Sequence, residues 1–178
     1  MEKTMKIDVM MDEKTFKDFA LFDNFSYRKI WKRPLLFAGI FIVFALLCFA
    51  MRGMREQADL LGTVLLIIGL GLPMAYFGLF FRTLGTQLKR LKLGTPRLFY
   101  TILLSDAPDG IVMTAKGAVD QSFSWASAER AYRSDEAVYL YVAPGSALIL
   151  PFRDAKGGAD GLCAFLTARL GEERVTAL

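Results

Sequence analysis

Two long apolar stretches of the chain carry no charged side chain, and on either side of them apolar residues recur at helical or alternating spacing. The first uncharged stretch runs from Pro34 to Met51 and the second from Leu60 to Phe81. At about 1.5 Å of rise per residue, helices of these lengths approach or exceed the roughly 30 Å hydrocarbon core of a bilayer. The pattern predicts a two-helix transmembrane hairpin: transmembrane helix 1 at 34–51, a short external loop RGMREQAD at 52–59 and transmembrane helix 2 at 60–81. A cleavable secretion signal is a poor reading of the first stretch, because more than thirty residues of patterned, charged sequence precede it. A soluble helix pair is equally poor, because 178 residues leave too little mass to cover two such helices on every face.

The flanking segments have shorter periods. KIDVMM (6–11) predicts a strand, and Asp12 offers an N-cap to a helix through KTFKDFALFDNF, with Phe16, Phe19 and Ala20 on one side. Residues 1–33 thus form an N-terminal strand and a helix lying near the membrane surface, with an independent lipid-sensing helix as the alternative. After the second span, residues 82–96 extend the helix and end in a linker at Gly94 and Pro96. From residue 97 the spacing becomes that of strands: RLFYTILLS before the turn DAPDG, GIVMTA and AVDQSFSW around Lys116-Gly117, and AVYLYVAP and ALILPF around Gly145-Ser146. SWASAERAYRS holds either another short strand or a turn of helix leading into one. GADGLCAFLTARLG then places Leu162, Phe165, Leu166 and Leu170 on one helical face. The predicted fold class is an α+β integral membrane protein, a membrane hairpin plus an antiparallel β-domain at 97–178 closed by a C-terminal helix.

Charge sets the orientation. Arg28, Lys29, Lys32 and Arg33 precede the first span, and Arg82, Lys89, Arg90 and Lys92 follow the second. Arg52 and Arg55 in the loop are offset by Glu56 and Asp59, so both termini are expected on the cytoplasmic side of a multi-pass protein. Neither span contains a charge of the kind that marks an ion or proton path. Small residues supply the packing: Ala38 and Ala45 share a face of the first helix and Gly71, Ala75 and Gly78 one of the second, and either that same face or the other glycine face, Gly62 and Gly69, is a candidate for self-association. Pro73 is expected to kink the second helix.

GIVMTAKG, the F-S-W step at Trp125, FSWASAERAYRS and the LILPFR segment with Pro151 and Arg153, following a two-span hairpin, resemble the YcxB-like family of bacterial membrane proteins. The resemblance implies location in the bacterial cytoplasmic (inner) membrane. It also implies a cytoplasmic domain similar to a pleckstrin-homology fold, a bent seven-stranded antiparallel barrel closed by a C-terminal helix. It implies no activity.

Composition narrows the chemistry. The chain has no histidine, so the commonest general base and transition-metal ligand are missing, and its two cysteines, Cys48 and Cys163, suggest neither a disulfide framework nor a zinc site. Asp106, Asp109, Asp135, Glu136, Glu172 and Glu173 fall in turns or near the C-terminus, and Ser122, Ser124 and Ser127 have no base partner. No catalytic, cofactor or metal site is expected, and no enzyme activity. From Arg97 onward eight basic residues face ten acidic ones, so the domain lacks the cationic face that nucleic acid requires. Arg130, Arg133 and Arg153 are the candidates for an anionic ligand or a peptide. The expected partners are the lipid bilayer, a protein bound by the cytoplasmic domain, and further copies of the chain. A membrane-tethered interaction or regulatory module is the leading function, and a homo-oligomeric component or pore is the alternative.

Overall fold

The computed structural model describes residues 4–51, 53, 57–115, 117 and 119–178. The chain divides into two compact units, Met1–Phe19 with Lys92–Leu178, and Ala20–Leu91.

The first unit is α+β, as the strand spacing predicts. Strands β1 (Met5–Met11), β2 (Arg97–Leu104), β3 (Ile111–Ala115) and β4 (Gln121–Phe123) form one antiparallel sheet in that order. Strands β5 (Arg130–Arg133), β6 (Ala137–Ala143) and β7 (Ser146–Pro151) form most of a second. Its fourth member is β8 (Val175–Ala177), which lies parallel to β5 and which the sequence pattern does not announce. SWASAERAYRS resolves into a turn at its start and β5 at its end.

Alternation decides what each strand buries. Ile7, Val9 and Met11 of β1, and Tyr100, Ile102 and Leu104 of β2, are buried on one face of the first sheet. Every residue of β6 from Ala137 to Val142 is buried, so this strand is covered on both faces. Helix α1 (Glu13–Leu21) supplies part of that cover: Phe19 meets the Tyr139 ring edge-on at 5.3 Å, and Lys14 pairs with Glu136. A later helix, Gly158–Leu170, buries Leu162, Phe165, Leu166 and Leu170, the stripe read from the sequence.

The N-terminal strand, assigned from the sequence to a separate segment, is the first strand of this sheet. Met11 stands opposite Arg97 and Met5 opposite Leu104, so β1 and β2 are the arms of a β-hairpin. The α1 entry is held the same way, with the Glu13 amide donating to the Leu93 carbonyl at 3.1 Å.

The second unit is helical. A six-residue π-helical turn, Phe22–Tyr27, replaces the second half of the helix expected through residue 25. The Phe25 ring stacks on Phe77 at 5.9 Å and meets Phe80 edge-on at 5.3 Å, while Trp31 Nε1 donates to the Phe25 carbonyl at 2.9 Å. A bulky aromatic anchored in this way is a physical reason for the wider turn. Helix α2 (Lys32–Ala50) and helix α3 (Ala58–Leu91) follow, α3 running through Pro73 and beyond residue 81 without interruption. Both are long and apolar enough to cross a membrane. Residues 52 and 54–56 of the expected external loop, and Lys116 of the expected Lys116-Gly117 turn, lie outside the described residues.

Candidate interaction surface

The three arginines singled out from the sequence do not converge. Arg130 and Arg133 sit at opposite ends of β5, and the alternation of a strand puts Arg130 with Tyr132 on one face and Arg133 with Ala131 on the other. The Arg133 guanidinium lies over the Phe152 ring at 5.9 Å. Arg153 is occupied: its Nη1 donates to Asp12 Oδ2 at 2.6 Å and its Nη2 to the Met10 carbonyl at 2.5 Å.

That occupation has a structural purpose. The β1–β2 register slips between Val9 and Met10, because Met10 stands opposite Leu98 and the bulge leaves Phe99 of β2 without a partner on β1. Beside the bulge, the backbone groups of Met10 are met from the turn after β7: Asp154 Oδ2 accepts from the Met10 amide at 2.8 Å, and Arg153 takes the carbonyl. Asp12 links this clasp to α1, because its Oδ1 accepts from the Thr15 amide at 2.8 Å as an N-cap. Burial alone would raise the Asp12 carboxyl, but the Thr15 donors and the Arg153 charge outweigh it and hold it below the usual value. The P-F-R-D run is therefore a fastener between the first strand and the second sheet.

Trp125 is a second fastener. Its Nε1 donates to the Ser105 carbonyl at 2.9 Å, its amide donates to the Pro108 carbonyl at 3.0 Å, and its ring lies 6.0 Å from Phe165. Arg169 of the same helix pairs with Asp106, closing the DAPDG turn from the other side. Gly110 is required there, since a Cβ would stand 2.6 Å from the Ala107 carbonyl and 2.7 Å from Trp125 Nε1. A third link is Tyr100, whose hydroxyl accepts from the Ile149 amide at 2.9 Å and donates to the Ile149 carbonyl at 3.1 Å. Burial pushes this phenol up to about 12.

A further accessible feature is the β5–β8 edge of the second sheet. Val175, Thr176 and Ala177 lie alongside Ala131, Tyr132 and Arg133, and the Leu178 amide donates to the Arg133 carbonyl at 3.0 Å. Val175 is half-buried, and Thr176, Ala177 and Leu178 are exposed. A shallow groove of about 480 Å³ opens at the head of this strand pair, lined by Ser127, Glu129, Arg130, Glu173 and Arg174. Sequence reading missed β8 because three residues show no period.

Among the helix-packing residues, Ala38 and Ala45 are buried against α3. The glycines that α2 approaches are Gly62 and Gly69: a Cβ at Gly69 would lie 3.2 Å from the Phe41 Cβ and 3.3 Å from the Ala38 carbonyl, and one at Gly62 would lie 2.9 Å from the Phe49 ring. Gly71, Ala75 and Gly78 are exposed instead, and among the described residues nothing beyond the helix's own backbone comes within 4 Å of a Cβ at Gly71 or Gly78. Both glycine faces satisfy the spacing rule, and the Phe49, Ile42 and Phe41 side chains fit the one that α2 covers.

The structure thus defines an α+β domain of two small sheets, interrupted after its first strand and helix by two long apolar helices. The model of one family, described as YcxB-like protein, matches residues 107–161. This match contains Gly110, Trp125, Pro151 and Arg153, so the sequence resemblance is found independently over the segment that supplies one side of each fastener, and it leaves the apolar helices outside. No curated protein and no solved structure matches the chain.

Proposed function

We propose that the protein is a non-enzymatic interaction or regulatory module, tethered to the inner face of the bacterial cytoplasmic membrane by α2 and α3, with both termini in the cytoplasm. The pairing of β1 with β2 carries this reading. Two strands of one sheet stand on the same side of any membrane, so the chain between them crosses an even number of times. Two helices long enough to cross lie in that interval, and only 11% and 6% of their most apolar windows is buried, whereas the core helix of a soluble protein is mostly buried. The lysines and arginines at the hairpin ends favour the cytoplasm for that side.

The domain's strand order supports the pleckstrin-homology-like arrangement implied by the resemblance: four antiparallel strands, then three, then a closing helix. The parallel β8 is an addition to it. A protein segment is favoured as ligand over a polyanion because acidic residues outnumber basic ones from Arg97 onward. Support for a non-catalytic role lies in how polar side chains are used: Asp12, Asp106 and Glu136 sit in ion pairs that hold elements together, and Asp154 accepts from the Met10 amide of β1.

Photocrosslinking of the full chain in its native membrane tests the reading. A reactive residue at Arg130 in β5 is expected to capture a partner that the same residue at Met74 in α3 does not. Release of the chain from membranes by alkaline washing would refute the tether. A second reading, a homo-oligomer assembled through α3, is favoured by the exposed Gly71, Ala75 and Gly78. It requires self-crosslinks from Met74 that Gly78→Leu abolishes.

A further inference from the structure

We infer that β8 is a displaceable strap, and that the β5 edge it covers is the docking site for an extended segment of a partner protein. The inference rests on the interaction-module reading and says which surface does the binding and what closes it. An edge strand presents unpaired backbone groups that accept another strand, and β5 already does so through a ladder of only three residue pairs. The strap is weakly held: only Val175 is partly buried, and Thr176, Ala177 and Leu178 are exposed.

It is also hinged. Gly171, at φ 83° and ψ 155°, adopts a backbone conformation reserved for glycine, and one short 3-10 turn, Glu172–Arg174, separates it from β8. Arg174 adds only a 3.4 Å contact to the Ala128 carbonyl. Closing helix and core end before the hinge, with Leu170 the last buried residue. The strap can therefore leave without taking a buried residue out of the core.

The strap's own chemistry describes its competitor. The incoming segment runs parallel to β5, carries a β-branched residue beside Ala131 and a small one beside Arg133, and reaches the site through the groove at Glu129, Arg130 and Ser127. Flanking charges of both signs suit that groove, as Glu173 and Arg174 do in the strap.

The test uses the peptide GEERVTAL, residues 171–178, carrying a fluorescent label. Against the detergent-solubilised protein ending at Arg174, it is expected to bind at least tenfold more tightly than against the full chain, and the same peptide with Thr176→Pro is expected to fail, since proline removes a ladder donor. A full chain carrying Thr176→Pro should bind the peptide as the shortened one does. In the unaltered full chain, the Leu178 amide should exchange with deuterium at least a hundredfold faster than the β6 amides. Equal protection of Leu178 and β6 overturns the inference even if the shortened chain fails to fold. So does a folded shortened chain that ignores the peptide. A dimer that the full chain forms and the Thr176→Pro chain does not would replace the partner with a second copy and overturn it too. If peptide binding succeeds and Arg130 captures no partner in the membrane, the interaction-module reading fails and the strap stands. Capture without peptide binding reverses that outcome.

Discussion

At the scale of single residues, the side chains that catch the eye in the sequence act as fasteners. Gly110 is the least replaceable: an alanine there drives its Cβ against the Ser105 and Ala107 carbonyls and the Trp125 indole, and two of these neighbours are backbone. Gly110→Ala is expected to cost at least about 3 kcal/mol, the upper end for overpacking, read as a fall in the thermal midpoint of the purified protein. Tyr100→Phe removes both hydroxyl bonds to Ile149 and leaves a buried amide unmet, for about 1–3 kcal/mol. The phenol also has a pH signature. Because its folded value is raised from 10.0 to about 12, it contributes stability below pH 10 that is lost as pH rises towards 12. Alkaline unfolding curves of the wild type should show that loss, and those of Tyr100→Phe should not.

At the scale of elements, the cap and the clasp share one carboxylate. Asp12→Ala removes the N-cap of α1 and the partner of Arg153 together, and about 1–2 kcal/mol is expected from the cap alone. Its carboxyl lies below the ordinary 3.8, so its contribution is present above that value and disappears as pH falls through the lower one. Acid titration of folded signal in wild type and Asp12→Asn checks this. The elements themselves were largely legible: apolar runs gave α2 and α3, alternation gave β1 to β4 and β6 to β7, and Leu162, Phe165, Leu166 and Leu170 gave the closing helix Gly158–Leu170. The joins between them were not. A period names a face but no partner, so the pairing of Met5–Met11 with Arg97–Leu104 could not be read from either segment. Arg153 looked free because its acceptors, Asp12 and the Met10 carbonyl, lie 141 and 143 positions away. The π-helical turn at Phe22–Tyr27 was hidden for a similar reason, since Phe25 meets Phe77 and Phe80 far along the chain.

At the scale of the whole molecule, the β-domain is discontinuous in sequence, and residues 97–178 alone lack Ile7, Val9 and Met11, each at most 1% exposed. That segment by itself is expected to aggregate, whereas a chain in which a flexible linker replaces residues 20–91 should fold as a soluble monomer with cooperative thermal unfolding. Deleting residues 1–11 from the linked chain should abolish that transition. The interrupted hairpin also imposes an order in time. A ribosome delivers β1 first, and at about 5–20 residues per second its partner strand follows only after several seconds, behind both apolar helices. Throughout that interval a strand with three oily side chains and two open edges waits without a mate. In the proposed tether its eventual pairing excludes a chain stranded with one helix across the bilayer, because a single crossing would leave the two strands on opposite sides.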